Sequence, residues 1–590
     1  MEKIKKILTE MMFVIAPVAI SLLLFRLIRN FPIHPYVSIV GSLVSLLLIA
    51  SLFLKVDFKW LVLIRSAGIG LLYLFWLKDT PFNFEGMFGD NHYYTLAVEK
   101  FYYSFLPYSH EYNNIHFSLP PLFFFLIGRV GALIKVSLPD LLKYSAFLFA
   151  VYLPYIWGYF LGGIFKKDKW LAAFLLSLLI PFKNPLPEYS SLAYLAQKGW
   201  HFLGMFLLVI WYLWLKREKP HFLKAGIAAG IIFALDFSPF LFIFMAIIFD
   251  LFSVLYRELK DSSGFAKSCR NFFIALYYYV RLGIVALLVN LVWLLPVIKD
   301  ILTHRLGISF NNYFSYSEGH ASIFQSLALL DPFDLFSIFL IIGICNLFLN
   351  ESRHQEIDSL RLIFFGMIMF ALIFYSLTFA RITMPMHHFS LFILHVMALS
   401  VVFLATKFKH HILLPIGVSL LVLFSISQLN DNKQNQLALK QSKLSAAIYD
   451  RGEVLRQKYD FYEKTIFPTT NELFFGKKTY SFITADFFSD AAASFDDRLE
   501  YVRAIYRHKE AGQAATFFKA LKNTPFGEVG YILLQKGKGD QLFFSINAYH
   551  NDLKEFRSRR KFFYFTATDF PSEYFKEIYD DDDFKVFMLK

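Results

Sequence analysis

The chain has 590 residues, a formal net charge of +13, and is 56% hydrophobic and 19% aromatic. No water-soluble fold of this length needs so much apolar surface, which excludes a soluble globular enzyme and leaves a polytopic membrane protein. The basic residues fall mostly between apolar segments, a distribution that speaks for membrane topology and anionic-lipid contact rather than for nucleic acid as a partner.

The amino terminus carries Lys3, Lys5 and Lys6 before a long apolar run, with no small-residue cleavage site after it, and reads as a retained first span. Apolar stretches of spanning length follow at 11–29, 36–54 and 59–77, then at 141–164, 170–183, 199–216, 223–236, 238–256, 275–297, 335–350, 361–378, 386–406 and 411–429. Segment 122–135 is short and carries Arg129 in its middle. If it spanned, every later basic loop would fall outside, against the positive-inside bias. Laid in the interface, it lets 166–169, 216–219, 257–270, 351–361 and 407–411 join the lysine-rich amino terminus in the cytoplasm. The expectation is a polytopic α-helical protein of about thirteen spans, amino terminus inside and carboxyl terminus outside. Cys269 and Cys345 fall in separate segments and imply no disulfide framework.

This topology puts 78–121, 183–199, the Asp236 turn, 298–334, 380–386 and everything after 430 outside. The division is a membrane domain, 1–429, with an external loop at 78–121, and an external α/β domain, 430–590. In the second part the composition changes sharply. Residues 430–462 read as an amphipathic helix, with strands at 480–485, 529–535, 541–546, 562–566 and 584–589 and helices at 498–508 and 514–522. The acid run 580–583 reads as a solvated turn before the last strand.

The first external loop contains Phe88-Gly89-Asp90-Asn91-His92-Tyr93-Tyr94. Gly89 permits a tight turn and close approach of another molecule, and Asp90 stands before a helix expected over 93–103, where the dipole favours an ionised carboxylate. Asp90 is accordingly the candidate functional carboxylate of the loop, with the plain helix cap as the competing role. His92 and Tyr93 beside it, Glu188 and Tyr189 in 183–199, and Glu318 and His320 in 298–334 are candidate acceptor contacts. Lys198 and His201 bracket Gly199-Trp200 at the mouth of a span, and Arg381 precedes His387 and His388. These five are candidate holders of a lipid-linked phosphate, Arg by a charge-assisted fork and His by single hydrogen bonds. Snorkelling to headgroups is the competing role for the basic ones. No P-loop, Rossmann glycine pattern or inverted repeat is present, and no metal-ligand set is legible, which leaves a divalent ion open.

Three stretches carry a family resemblance: Gly89-Asp90 with its aromatic-rich helix; Leu106-Pro107-Tyr108 through Leu119-Pro120-Pro121-Leu122-Phe123-Phe124-Phe125-Leu126-Ile127-Gly128-Arg129; and Ser494-Phe495-Asp496-Asp497-Arg498 with the closing strand at 582–589. In these the chain resembles the GT-C glycosyltransferases, and within them the mycobacterial galactan 5-O-arabinofuranosyltransferases. The Phe- and Lys-rich composition departs from the usual members. The resemblance implies a GT-C membrane core with a soluble domain, decaprenyl-phospho-arabinofuranose as donor, galactan or a similar polysaccharide as acceptor, and Asp90 as the catalytic carboxylate. The rival readings are a GT-C enzyme using another lipid-linked sugar or a lipid or protein acceptor, and a transporter or flippase of a lipid-linked substrate.

Overall fold

A computed structural model describes residues 2–87, 90–105, 112, 116, 121–180, 191–237, 239–260, 265–304, 335–349, 355–379, 387–429, 432–483, 494–549 and 558–590. The chain is mostly helical and ends in a sheet. Its first third comprises α1 (Glu2–Ile28), α2 (Ile33–Phe53), α3 (Phe58–Trp76), α4 (Asp90–Tyr103), α5 (Leu122–Ile134), α6 (Leu138–Phe165) and α7 (Lys169–Leu179). There follow α8 (Ser191–Glu218), α9 (Phe222–Leu235), α10 (Phe240–Lys260), α11 (Phe265–Val289) and α12 (Leu291–His304). The last apolar helices are α13 (Leu335–Leu349), α14 (Gln355–Phe379), α15 (His387–Lys407) and α16 (Leu413–Leu429). Among the described residues, six helices are long and apolar enough to cross a membrane, by length and composition, and further apolar helices are shorter. The chain is membrane-embedded on this ground.

The expected segment 275–297 is divided. Helix α11 stops at Val289 and α12 begins at Leu291, because the Asn290 side chain donates to the Gly230 and Ala286 carbonyls, both at 2.9 Å. The short segment with Arg129 forms α5. One side of α5 packs on α4, while Leu126, Val130 and Leu133 point outward. Gly128 lets the two helices touch. A Cβ there would lie 2.8 Å from backbone atoms of Val98, Phe101 and Tyr102. Gly128→Val is therefore expected to cost about 1–3 kcal/mol, since backbone cannot step aside as a side-chain tip would; thermal unfolding of the purified variant checks it. Arg129 donates to the Phe101 and Tyr102 carbonyls, at 3.2 and 3.0 Å, capping the C-terminal end of α4.

The sequence after residue 430 begins as two helices rather than one, α17 (Asn432–Arg451) and α18 (Glu453–Lys458), separated at Gly452. Strands β1 (Thr465–Phe467) and β2 (Tyr480–Ser481) precede α19 (Phe495–Glu510) and α20 (Ala514–Lys522). The sheet closes with β3 (Val529–Lys536), β4 (Leu542–Tyr549), β5 (Ser558–Phe565), β6 (Phe575–Asp580) and β7 (Phe584–Leu589). Strand β3 is central: it runs parallel to β1 and antiparallel to β4 and β7. Both its faces are covered. Ile532 and Leu534 pack towards α19 and α20, and Tyr531 and Leu533 towards α17 and α18. This is why it reads as an unbroken apolar run. The acid run 580–583 is the β6–β7 turn: Asp581 accepts from the Asp583 and Phe584 amides, and Arg451 bridges Asp581 and Asp583.

Candidate active site

The loop before α4 is built against α17. Glu85 and Gly86 both take left-handed backbone, φ +64° and +59°, folding the chain into a turn. A Cβ at Gly86 would meet the Ser445 side chain at 2.4 Å, so only glycine closes the turn onto α17. The Glu85 amide donates to the Ala438 carbonyl at 2.9 Å, and Thr80 and Ser442 share a hydroxyl–hydroxyl bond of 2.9 Å. The Met87 amide donates to Ser445 Oγ at 2.9 Å, and that hydroxyl donates to Glu472 Oε1 at 3.0 Å. Met87 stands three positions before Asp90, which is the first residue of α4; the Asp90 side chain lies outside the described residues. Asn91 follows and donates to the Phe84 carbonyl at 2.7 Å, closing the turn from the helix side.

Glu472 belongs to the same corner. It is buried, and its carboxyl is pushed above the ordinary carboxylate range by burial, a shift opposed by its own backbone amide, the nearby His92 charge and the Ser445 hydroxyl. A carboxyl with a raised folded pKa favours the protonated form in the native state. Its contribution to stability is therefore lost as pH rises from the ordinary carboxylate range through the raised value. Glu472→Gln is expected to flatten this part of the stability–pH curve, leaving the variant at least as stable as wild type at neutral pH. Thermal unfolding of both proteins across the acid and neutral range measures it; a parallel loss of stability in both would show that Glu472 is not its source.

Further along, α4 is locked to the sheet domain. Glu99 is fully buried; its Oε1 accepts from the Gly476 and Lys478 amides at 2.6 and 3.2 Å, and its Oε2 meets the Lys100 ammonium at 3.2 Å. Lys100 also donates to the Thr479 carbonyl and stands over the Tyr480 ring. Tyr103 donates to the Gly476 carbonyl. Beyond α4, Tyr112 is buried under the Arg498 guanidinium, 3.8 Å above its ring, and Arg498 donates to the Phe482 carbonyl at 2.6 Å. Burial holds Arg498 down to about 10. The segment around α4 and the sheet domain are thus tied at three places.

On the membrane side, α4 meets α5 and α8 through aromatic rings. Tyr94 stacks on Phe124 at 5.7 Å and meets Trp200 edge-on at 5.9 Å, and Trp200 stacks on His201 at 3.6 Å. Between α4, α5 and α6 a cavity of about 40 Å³, lined by Asn83, Asn91, Tyr94 and Thr95 among others, has room for a few waters and none for a sugar. His201 Nδ1 lies 2.9 Å from Asp236 Oδ2, both buried. The carboxylate fixes the ring, with Gly204 one helical turn on making room for Asp236. A second pair joins the loop to α12: His116 donates its amide to Asp300 at 2.6 Å, and its Nδ1 lies 2.9 Å from the same oxygen.

Of the residues singled out in the sequence, His92, Tyr93 and His201 are brought to this seam. His92 is half-buried and Tyr93 buried, their rings edge to face at 5.6 Å. Lys198 lies on α8 one turn before His201, and His387 and His388 open α15, which packs on α8 through His395 and Phe202; the side chains of Lys198, His387 and His388 lie outside the described residues. Glu188, Tyr189, Glu318, His320 and Arg381 lie outside them altogether. Glu472, Ser445, Glu99 and Asp300 were not singled out, and Asp236 only marked a turn; nothing in their local sequence marks them. Among the described residues no three His, Cys, Asp or Glu side chains gather as a metal-binding group. No protein-family model matches the chain, and no curated protein matches it.

Proposed function

We propose that this chain is an integral-membrane glycosyltransferase of the GT-C kind, which takes a sugar from a polyprenyl phosphate and gives it to a polysaccharide outside the plasma membrane. In this reading about thirteen segments span the bilayer, the amino terminus is cytoplasmic, and the site and the sheet domain face outward. The observation that carries it is the seating of α4. The helix that opens at Asp90 is wedged between apolar helices and the sheet domain, and this reading brings a lipid-borne donor and a hydrophilic acceptor together at that junction.

The acceptor hydroxyl loses its proton to Asp90 as its oxygen attacks the anomeric carbon. The bond from that carbon to the phosphate oxygen breaks, and the lipid phosphate leaves with the electron pair. Its growing charge calls for donors, the role given to Arg381, Lys198, His387, His388 and His201. His201, oriented by Asp236, is the one whose side-chain setting is described. Glu188, Tyr189, His92, Tyr93, Glu318 and His320 are assigned to the acceptor. Arabinofuranose is the sugar implied by the sequence resemblance, and the polysaccharide is galactan or a relative.

The test is transfer by purified protein given polyprenyl-phospho-arabinofuranose and a short galactan, with product chain length read by mass spectrometry. Elongated galactan is the expected result. Failure with this donor but transfer from another polyprenyl-phosphate sugar would change the sugar and keep the class. Failure with every lipid-linked donor, together with donor movement across a vesicle membrane, would replace the reading with transport.

A further inference from the structure

A second polar site lies at the other end of α8. Lys216 is 15 residues beyond His201, about 22 Å along the helix at 1.5 Å per residue. There a cleft of about 890 Å³ opens between α11 and α14. Helix α10 is its floor and packs against both walls; at Gly366 of α14 a Cβ would lie 2.7 Å from the Ala246 backbone of α10.

One end of the cleft is polar and built. Asp250, 3% exposed, accepts from the Lys216 ammonium and from the Tyr279 hydroxyl, the latter at 2.7 Å. Arg361 donates to Asp358 and to the Leu347 carbonyl. Lys219 also lines this end. It is exposed, stands just past α8 at φ +44°, and has no ion-pair partner among the described residues. Among the described residues that line the cleft, three cations thus face two carboxylates. The walls are apolar: Val254, Ile274, Leu362 and Phe365, with Ile274 58% and Phe365 45% exposed.

We propose that this cleft binds an anionic glycerophospholipid, its phosphodiester on Lys219 and its acyl chains along Ile274 and Phe365. A neutral lipid would leave the surplus cation unmatched, and a free phosphate would leave the apolar walls bare. The site stands apart from the transfer reaction and does not depend on it. In the topology proposed above, the lipid belongs to the cytoplasmic leaflet.

The experiment uses the full-length protein, delipidated in detergent and offered equal amounts of phosphatidylglycerol and phosphatidylcholine, with bound lipid counted by native mass spectrometry. Wild type is expected to retain phosphatidylglycerol at least about fivefold over phosphatidylcholine, the preference one lysine supplies near a membrane surface. Lys219→Gly suits the left-handed backbone while removing the charge, and should abolish the preference; Lys219→Arg should keep it. Ile274→Trp narrows the apolar wall without touching a charge and should lower retention of the lipid. Equal retention of both lipids by wild type would overturn the proposal, as would a preference unmoved by Lys219→Gly and Ile274→Trp. Displacement of the lipid by inorganic phosphate alone, or by a polyprenyl phosphate in its place, would overturn it too.

Discussion

Replacing Asp90 with asparagine is expected to lower sugar transfer by about a hundred- to ten-thousand-fold, the range a positioned general base supplies. Asparagine keeps the size of the side chain and one acceptor oxygen, and it caps helices about as well as aspartate. Only the charge at the start of α4 is lost, which costs about 0.3–1 kcal/mol of dipole interaction. The fold should therefore survive, held by the Met87–Ser445 and Asn91–Phe84 bonds on either side, and the loss should appear in turnover with donor still bound. Transfer rates and donor binding measured on the same preparation separate the two. Equal turnover in both proteins would remove Asp90 from the chemistry and return it to the role of a helix cap.

The apolar helices were legible because burial in lipid demands length and composition, both of which are local. The stretch read at 59–77 is α3, Phe58–Trp76, and 514–522 is α20. Strand β3 was legible for a related reason, since both its faces are covered. Strand β1 was not, because three residues carry no period, and β6 was not, because its Lys576 and Glu577 sit exposed at the edge of the sheet. The breaks at Asn290 and Gly452 were not legible for another reason: an asparagine reaching for a carbonyl on α9 is a tertiary fact. The candidate site divides along the same line. The helix expected over 93–103 could be read from glycine, acid and aromatic residues in a row, and in the structure it opens three residues earlier, at Asp90. Glu472 could not, since its meaning comes from Ser445 and from His92 far back in the chain. Tyr112 and Arg498 likewise gain their roles only from each other.

Glu99→Ala is expected to remove about 3–5 kcal/mol of stability, the cost of taking one partner from a buried ion pair. The carboxylate has no exposure to water and satisfies two backbone amides, Gly476 and Lys478, besides the Lys100 ammonium. Alanine would strand all three in a dry interface, and each unpaired group carries its own desolvation cost. Lys100 keeps the Thr479 carbonyl and the Tyr480 ring, so the ammonium is not wholly abandoned, which argues for the lower part of the range. The break falls on the contact that fastens α4 to the turn at 476–480. The variant should therefore melt at lower temperature and be cut by protease near that turn while the apolar helices remain folded. A double change, Glu99→Ala with Lys100→Met, removes the stranded charge and should recover part of the loss. Glu99→Ala melting within about 1 kcal/mol of wild type would mean that the loop and the sheet domain are held together chiefly by the Gly86–Ser445 and Tyr112–Arg498 contacts instead.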